Sequence, residues 1–289
     1  MNKLLFTVIA VFVSSILFAQ NAFSQSKIDT KTLNSKVLNA DRDYTIYLPK
    51  SYQTDSERRY PVLYLLHGMT ETNKTWQNNM RLKEVADRLM ESGDAKEMII
   101  VTPNAGGDLS KNQWNGYFNM PGWEYETFFF DEFIPFIENN YRVKSDKNNR
   151  AVAGLSMGGG GTVVYAQKHS DMFCAAYAMS ALVSLNNLTA SGDENEITMH
   201  LYRSVLANDC IKFVENADDN TKNNLRTVSW FIDCGDDDFL LDNNVDFTRA
   251  MKKAAIPYQF RVRDGGHTSE YWHTALYLCI PFVSRNFDN

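Results

Sequence analysis

Residues 149–161 read Asn-Arg-Ala-Val-Ala-Gly-Leu-Ser-Met-Gly-Gly-Gly-Gly, and no other stretch constrains the fold as tightly. The short run at 150–153 suits a buried strand, and 162–169 reads as helix. Between them Gly154-Leu155-Ser156-Met157-Gly158 fits G-x-S-x-G. In a strand–turn–helix setting this pattern is a sharp turn that lifts the serine hydroxyl above the sheet edge. The residues two before and two after the serine then come close together. Only small side chains fit there, hence Gly154 and Gly158. A helix that opens on four glycines, 158–161, uses some of the worst helix formers, each about 1 kcal/mol poorer than alanine. A local rule broken this hard marks a functional site.

The rest of the chain supplies a sheet for that turn to sit on. Residues 28–52 alternate, as in Tyr44-Thr-Ile-Tyr-Leu, and read as an antiparallel edge hairpin. Continuous apolar runs at 61–66 and 97–101 suit strands buried on both faces. Further strands are predicted at 172–180, 227–234 and 258–262. Helices are predicted at 82–90, 124–141, 241–255 and 269–285, with Pro135 bending the second. Strands and helices alternating at this spacing imply an α/β fold with a mostly parallel sheet and helices on both faces. Residues 183–226 break the rhythm and are rich in Ser, Asn and Asp, so they read as an insertion.

Residues 1–24 read as a secretory signal peptide. Met1-Asn2-Lys3 is the positive start, 4–18 the apolar segment, and Ala22 and Ser24 the small residues of the cleavage site. The apolar run is shorter than the ~20 residues of a spanning helix, so stable membrane insertion is not expected. No cysteine lies near the cleavage region to carry a lipid. Export to the periplasm or beyond is the expectation, with 25–289 as a single domain. Lys and Arg total 29 against 35 Asp and Glu, a formal charge of -6 that disfavours nucleic acid as a partner. The four cysteines, Cys174, Cys210, Cys234 and Cys279, match no zinc or haem spacing, and their pairing is open. No metal or cofactor is expected.

A serine nucleophile needs a base, and the base needs a group to orient it. Of His67, His169, His200, His267 and His273, only His267 combines a preceding strand with a Gly-Gly turn at the ligand-binding edge of the sheet. It is expected to act as base and then acid, so kcat/KM should rise as its imidazole loses a proton. The acid should lie between serine and histidine in chain order. Asp236, Asp237 and Asp238 all qualify by spacing; Asp233 is poorer because it precedes the loop. The oxyanion of an acyl-transfer intermediate would take the backbone N–H of Met157 and that of Met69, which follows an early strand in His67-Gly68-Met69.

Taken together, Leu65-Leu66-His67-Gly68, Ala153-Gly154-Leu155-Ser156-Met157-Gly158-Gly159, Asp233-Cys234-Gly235 with Asp238, and Gly265-Gly266-His267 resemble the esterase D / carbohydrate esterase family 1 branch of the α/β-hydrolase fold. The likeness runs from about residue 35 to the C-terminus. That branch includes feruloyl esterases, acetylxylan esterases, S-formylglutathione hydrolases and enterobactin esterases. The chain is most similar to exported feruloyl-esterase-like proteins. The resemblance implies Ser156 as nucleophile, His267 as base and Asp238, among the three aspartates, as the acid. It also places the oxyanion hole at Met69 and Met157. It implies a serine carboxylesterase acting on feruloyl or acetyl esters, small or polysaccharide-linked. A siderophore esterase, an S-formylglutathione hydrolase or a non-catalytic carbohydrate-binding scaffold are the rival expectations.

One departure bears on substrate. Similar sequences often carry an aromatic residue two after the histidine, where this chain has Ser269. The loop 104–123 offers Trp114, Tyr117, Phe118 and Trp123 as replacement stacking surfaces for a ferulate ring or sugar, with Trp114, Tyr117 and Trp123 as the candidate substrate-binding residues. The insertion 183–226 leaves the same edge and is expected to act as a partial lid.

Overall fold

A computed structural model describes residues 25–107, 113–185 and 196–288. Residues 1–24, where a signal peptide is expected, and residues 186–195 of the insertion expected to act as a lid lie outside the described residues. Eight strands of the described chain form one sheet. They are β1 (Lys27–Ser35), β2 (Ala40–Leu48), β3 (Val62–Leu66), β4 (Ile99–Pro103), β7 (Arg150–Leu155), β8 (Ala175–Met179), β9 (Ser229–Gly235) and β10 (Gln259–Arg263). A small hairpin, β5 (Asn119–Met120) with β6 (Trp123–Glu124), stands apart. The sheet order is β1-β2-β4-β3-β7-β8-β9-β10. Only the pairings of β2 with β1 and β4 are antiparallel. The expected edge hairpin and mostly parallel sheet are both present.

Alternation in the buried strands divides the core into two. On β3, Val62, Tyr64 and Leu66 join one apolar cluster and Leu63 and Leu65 the other. The second cluster is closed by α2 (Leu82–Glu91) and α9 (Ser269–Asn286), whose Leu82, Val85, Trp272, Leu276 and Ile280 it contains. The short α1 (Thr75–Asn78) adds Trp76 to it. The other face carries α3 (125–140), α4 (Met157–Lys168) and α8 (Leu241–Lys253). Edge strands β1 and β10 are the most exposed and carry Lys27, Asp29, Lys31, Arg261 and Arg263, charges that discourage pairing with another chain.

Helix α3 has three parts: Tyr125–Thr127, a widened π-type segment Phe128–Phe133, and Ile134–Asn140. The expected bend at Pro135 is thus a wide turn just ahead of it. Proline has no N–H to give and its ring crowds the carbonyl four residues back. The Ile134 N–H reaches Phe129 O instead. In the insertion, the described part is helical: α5 (Glu196–Ala207), α6 (Cys210–Glu215) and α7 (Asp219–Leu225). Two of its aspartates are helix caps. Asp209 accepts from the N–H groups of Ile211 and Lys212, and Asp218 from that of Thr221. All four cysteines are buried free thiols. No helix among the described residues is long and apolar enough to cross a membrane.

Candidate active site

Ser156 sits between β7 and α4 with φ 53 and ψ -118, a conformation unfavourable for a residue with a side chain. The surroundings hold it there. Its N–H donates to Met179 O at 2.9 Å, and its carbonyl accepts from Gly160 and Leu182, each at 3.0 Å. Helix α4 begins at Met157, so the glycines lie inside its first turn rather than before it. A Cβ on Gly158 would stand 2.5 Å from His67 O, and one on Gly160 2.3 Å from Leu182 O. The propensity lost to glycine is exchanged for close approach of α4 to β3 and to the chain after β8.

Acid and base arrive from neighbouring strand ends. A Cβ on Gly235, at the end of β9, would meet Gly265 O at 2.0 Å, so the two loops touch backbone to backbone. The Asp237 N–H donates to Gly265 O at 3.0 Å, and Asp236 accepts the Gly265 N–H at 2.9 Å. This contact brings His267 Nδ1 to 3.0 and 2.9 Å from the two carboxylate oxygens of Asp238. His267 Nε2 lies 2.9 Å from Ser156 Oγ. The structure thus brings together Ser156, His267 and Asp238, the last being the aspartate that the resemblance implies. Asp236 and Asp237 are exposed and serve the turn. Asp233 is buried beneath, bonded to the hydroxyls of Tyr177 and Tyr271 and to Arg263.

Burial pushes the Asp238 carboxyl up, but hydrogen bonds from His267, the Leu240 N–H and Ser180 outweigh it, and its pKa lies below the ordinary value. Asp238 thus stays a carboxylate. The Nδ1–H of His267 faces it, leaving Nε2 free to accept the serine proton. Trp272 stands edge-on to the imidazole at 4.8 Å and donates its Nε1–H to Ser180 Oγ at 3.1 Å.

The two expected oxyanion donors are the N–H groups of Met157 and Met69. Met157 opens α4, where first-turn N–H groups have no helical acceptor. Met69 follows Gly68, which is held against Leu155 next to the serine. Neither amide meets a carbonyl among the described backbone hydrogen bonds. His67 is fully buried, and burial, against the pull of the Gly68 carbonyl, lowers its pKa to about 4. Its Nε2 accepts the Ala105 N–H at 2.9 Å, so the proton of this neutral ring is on Nδ1, 2.8 Å from Gly68 O.

Two substrate expectations need correction. Tyr117 is 1% exposed and Trp123 6%, so neither ring is free to stack on a ligand. Tyr117 donates its hydroxyl to His67 O at 3.0 Å, and Trp123 its Nε1–H to Gly116 O at 2.9 Å. Phe118 is buried with them. A long loop must bury apolar side chains of its own to hold its shape, and these aromatics serve that end. Trp114 keeps partial exposure, its ring tilted against His200 at 5.9 Å.

Two large apolar side chains are exposed here: Phe239, which the sequence does not single out, and Met69, which it singles out only for its N–H. Phe239 is 66% exposed and lies 4.5 Å from the His267 ring. Met69 is 47% exposed. The other missed residue is Glu71, which accepts the Gly68 N–H at 2.7 Å. Burial raises its pKa, against the pull of that N–H and of His267 nearby.

A family model named Esterase matches residues 35–278. The chain belongs to the esterase family. The fold of this esterase is that of the α/β-hydrolases. A solved ferulic acid esterase is 60% identical, with TM-score 0.89, over 91% of this chain and 99% of that one. A family 1 ferulic acid esterase from Anaeromyces mucronatus, 21% identical with TM-score 0.69 over 89% and 90% of the two chains, shares the fold. Among curated proteins, an endo-1,4-beta-xylanase/feruloyl esterase from Xylanibacter ruminicola is 36% identical over 131 residues, 44% of this chain and 18% of that protein. The chain spans less than a third of the length of the first curated relatives it matches. An acetyl esterase from Caldicellulosiruptor saccharolyticus is 22% identical over 88% of this chain and 97% of its own.

Proposed function

We propose that this esterase is an exported serine hydrolase that releases feruloyl or acetyl groups from plant cell-wall polysaccharide through a covalent acyl-enzyme. The observation that carries the reading is the 2.9 Å approach of His267 Nε2 to Ser156 Oγ with Asp238 behind the ring. In the first half-reaction Nε2 takes the serine proton as Oγ bonds to the ester carbonyl carbon. The charge that develops on the carbonyl oxygen is received by the Met69 and Met157 N–H groups. The imidazolium then returns its proton to the departing alkoxide, leaving acyl-Ser156 and a free alcohol. Water repeats the sequence, His267 taking its proton, and the acid is released with Ser156 restored.

Similarity to ferulic acid esterases supports a feruloyl group, and the exposed Phe239 and Met69 offer an aromatic acyl chain two apolar walls. The apolar N-terminal segment supports export. The test is a panel running from p-nitrophenyl acetate through methyl ferulate to feruloylated arabinoxylan. Ferulate release abolished by Ser156→Ala is the expected result. No product from any aryl or acetyl ester would overturn the reading.

A further inference from the structure

The loop that carries the Met69 N–H is held by four hydrogen bonds to the two peptides that flank Gly68. The peptide between His67 and Gly68 is fixed at both ends. Its carbonyl accepts from the Tyr117 hydroxyl at 3.0 Å and its N–H donates to Glu71 Oε2 at 2.7 Å. The next peptide is fixed at its carbonyl. Gly68 O accepts from His67 Nδ1 at 2.8 Å and from the Glu71 N–H at 3.3 Å. In a trans peptide the C=O and N–H point in opposite directions, so fixing that oxygen fixes where the Met69 N–H points. Within the same turn Thr70 has φ 63, a left-handed conformation that a β-branched residue resists. The turn will not hold this shape unaided, and Glu71 closes it twice, once with its N–H and once with its carboxylate.

We propose that Glu71 is a positioning residue that aims the Met69 N–H at the oxyanion, its carboxylate acting through the Gly68 amide. This deepens the reading of Ser156 as nucleophile and Met69 as oxyanion donor, and rests on it. Glu71 touches no reacting atom. Its acceptor oxygen, rather than its charge, is what the loop uses, and glutamine supplies the same oxygen.

The experiment compares Glu71→Ala, Glu71→Gln and Ser156→Ala with wild type on p-nitrophenyl acetate, recording kcat, KM and Tm. A misaimed donor costs about 10²-fold in rate. Glu71→Ala should therefore lose about 10²-fold in kcat with KM within twofold of wild type, and Glu71→Gln should recover most of the loss. Glu71→Asp, whose carboxylate is one methylene too short to reach Gly68, serves if the alanine variant does not fold, and should lose at least tenfold in kcat. Wild-type kcat in Glu71→Ala or Glu71→Asp would overturn the proposal, as would a glutamine variant no faster than alanine. If Ser156→Ala were itself active, the underlying reading would fail instead; an inactive Ser156→Ala beside an unimpaired Glu71→Ala would sink the positioning role alone.

Discussion

Gly158→Ala separates intrinsic propensity from close packing. Inside a helix the exchange should gain about 1 kcal/mol. At this position the new Cβ would lie 2.5 Å from His67 O, 2.6 Å from Leu66 O and 2.7 Å from Leu66 C. All three are backbone atoms, at the end of a strand paired with β7 through Leu66 and Gly154. Reaching the 3.4 Å of ordinary contact from 2.5 Å needs a movement of 0.9 Å. Overpacking of this kind costs about 1–3 kcal/mol, and rigid partners put it at the upper end. Set against the propensity gain, the net loss is about 2 kcal/mol, a fall of about 4 °C in Tm for a chain of this size. The displaced backbone is also the one that leads into Gly68 and Met69. A shift approaching 1 Å there should cost about 10²-fold in kcat. Thermal unfolding and turnover of p-nitrophenyl acetate measure both. A variant with raised Tm and full kcat would refute the packing argument and leave helix propensity in command.

Asp238→Asn should fold normally and lose about 10⁴-fold in kcat, because an amide facing Nδ1 no longer selects the tautomer that leaves Nε2 free. Because the folded pKa of Asp238 is lowered, its stabilising effect is present above the ordinary value of 3.8 and lost as pH falls through the lowered one. Acid unfolding of the Asn variant should therefore be less steep at that end. Trp123→Ala should destabilise by about 3–5 kcal/mol in chemical denaturation, with an unchanged KM for methyl ferulate in the folded protein. A raised KM at normal stability would restore the stacking role. Phe239→Ala should leave stability within about 0.5 kcal/mol and lower kcat/KM for methyl ferulate about 2–10-fold, with acetate esters unaffected. Equal effects on both acyl groups would remove Phe239 from acyl recognition.

What was legible in the sequence is what local rules force. Gly154, Ser156 and Gly158 declare a turn because no other composition fits it, and Gly265-Gly266-His267 places an imidazole at a strand end. The choice among Asp236, Asp237 and Asp238 was not local. It depends on which carboxylate the Gly235–Gly265 contact turns inward, and only the family resemblance supplied it. The burial of Tyr117 and Trp123 is hidden for a related reason. A loop's aromatic residues look alike in sequence, whether they face solvent or pack beneath. The aspartates of the insertion suggested irregular chain, yet Asp209 and Asp218 start helices. Phe239 and Glu71 left no signal at all. One is marked by exposure, the other by a bond to an amide three residues back, and both need the folded loop to exist.

Covalent labelling tests the central claim most directly. A fluorophosphonate probe should add once per chain, on Ser156 by peptide mass analysis, with no adduct in Ser156→Ala and greatly slowed addition in His267→Ala. An active protein that takes no label at Ser156, or takes it on another residue, would contradict the account.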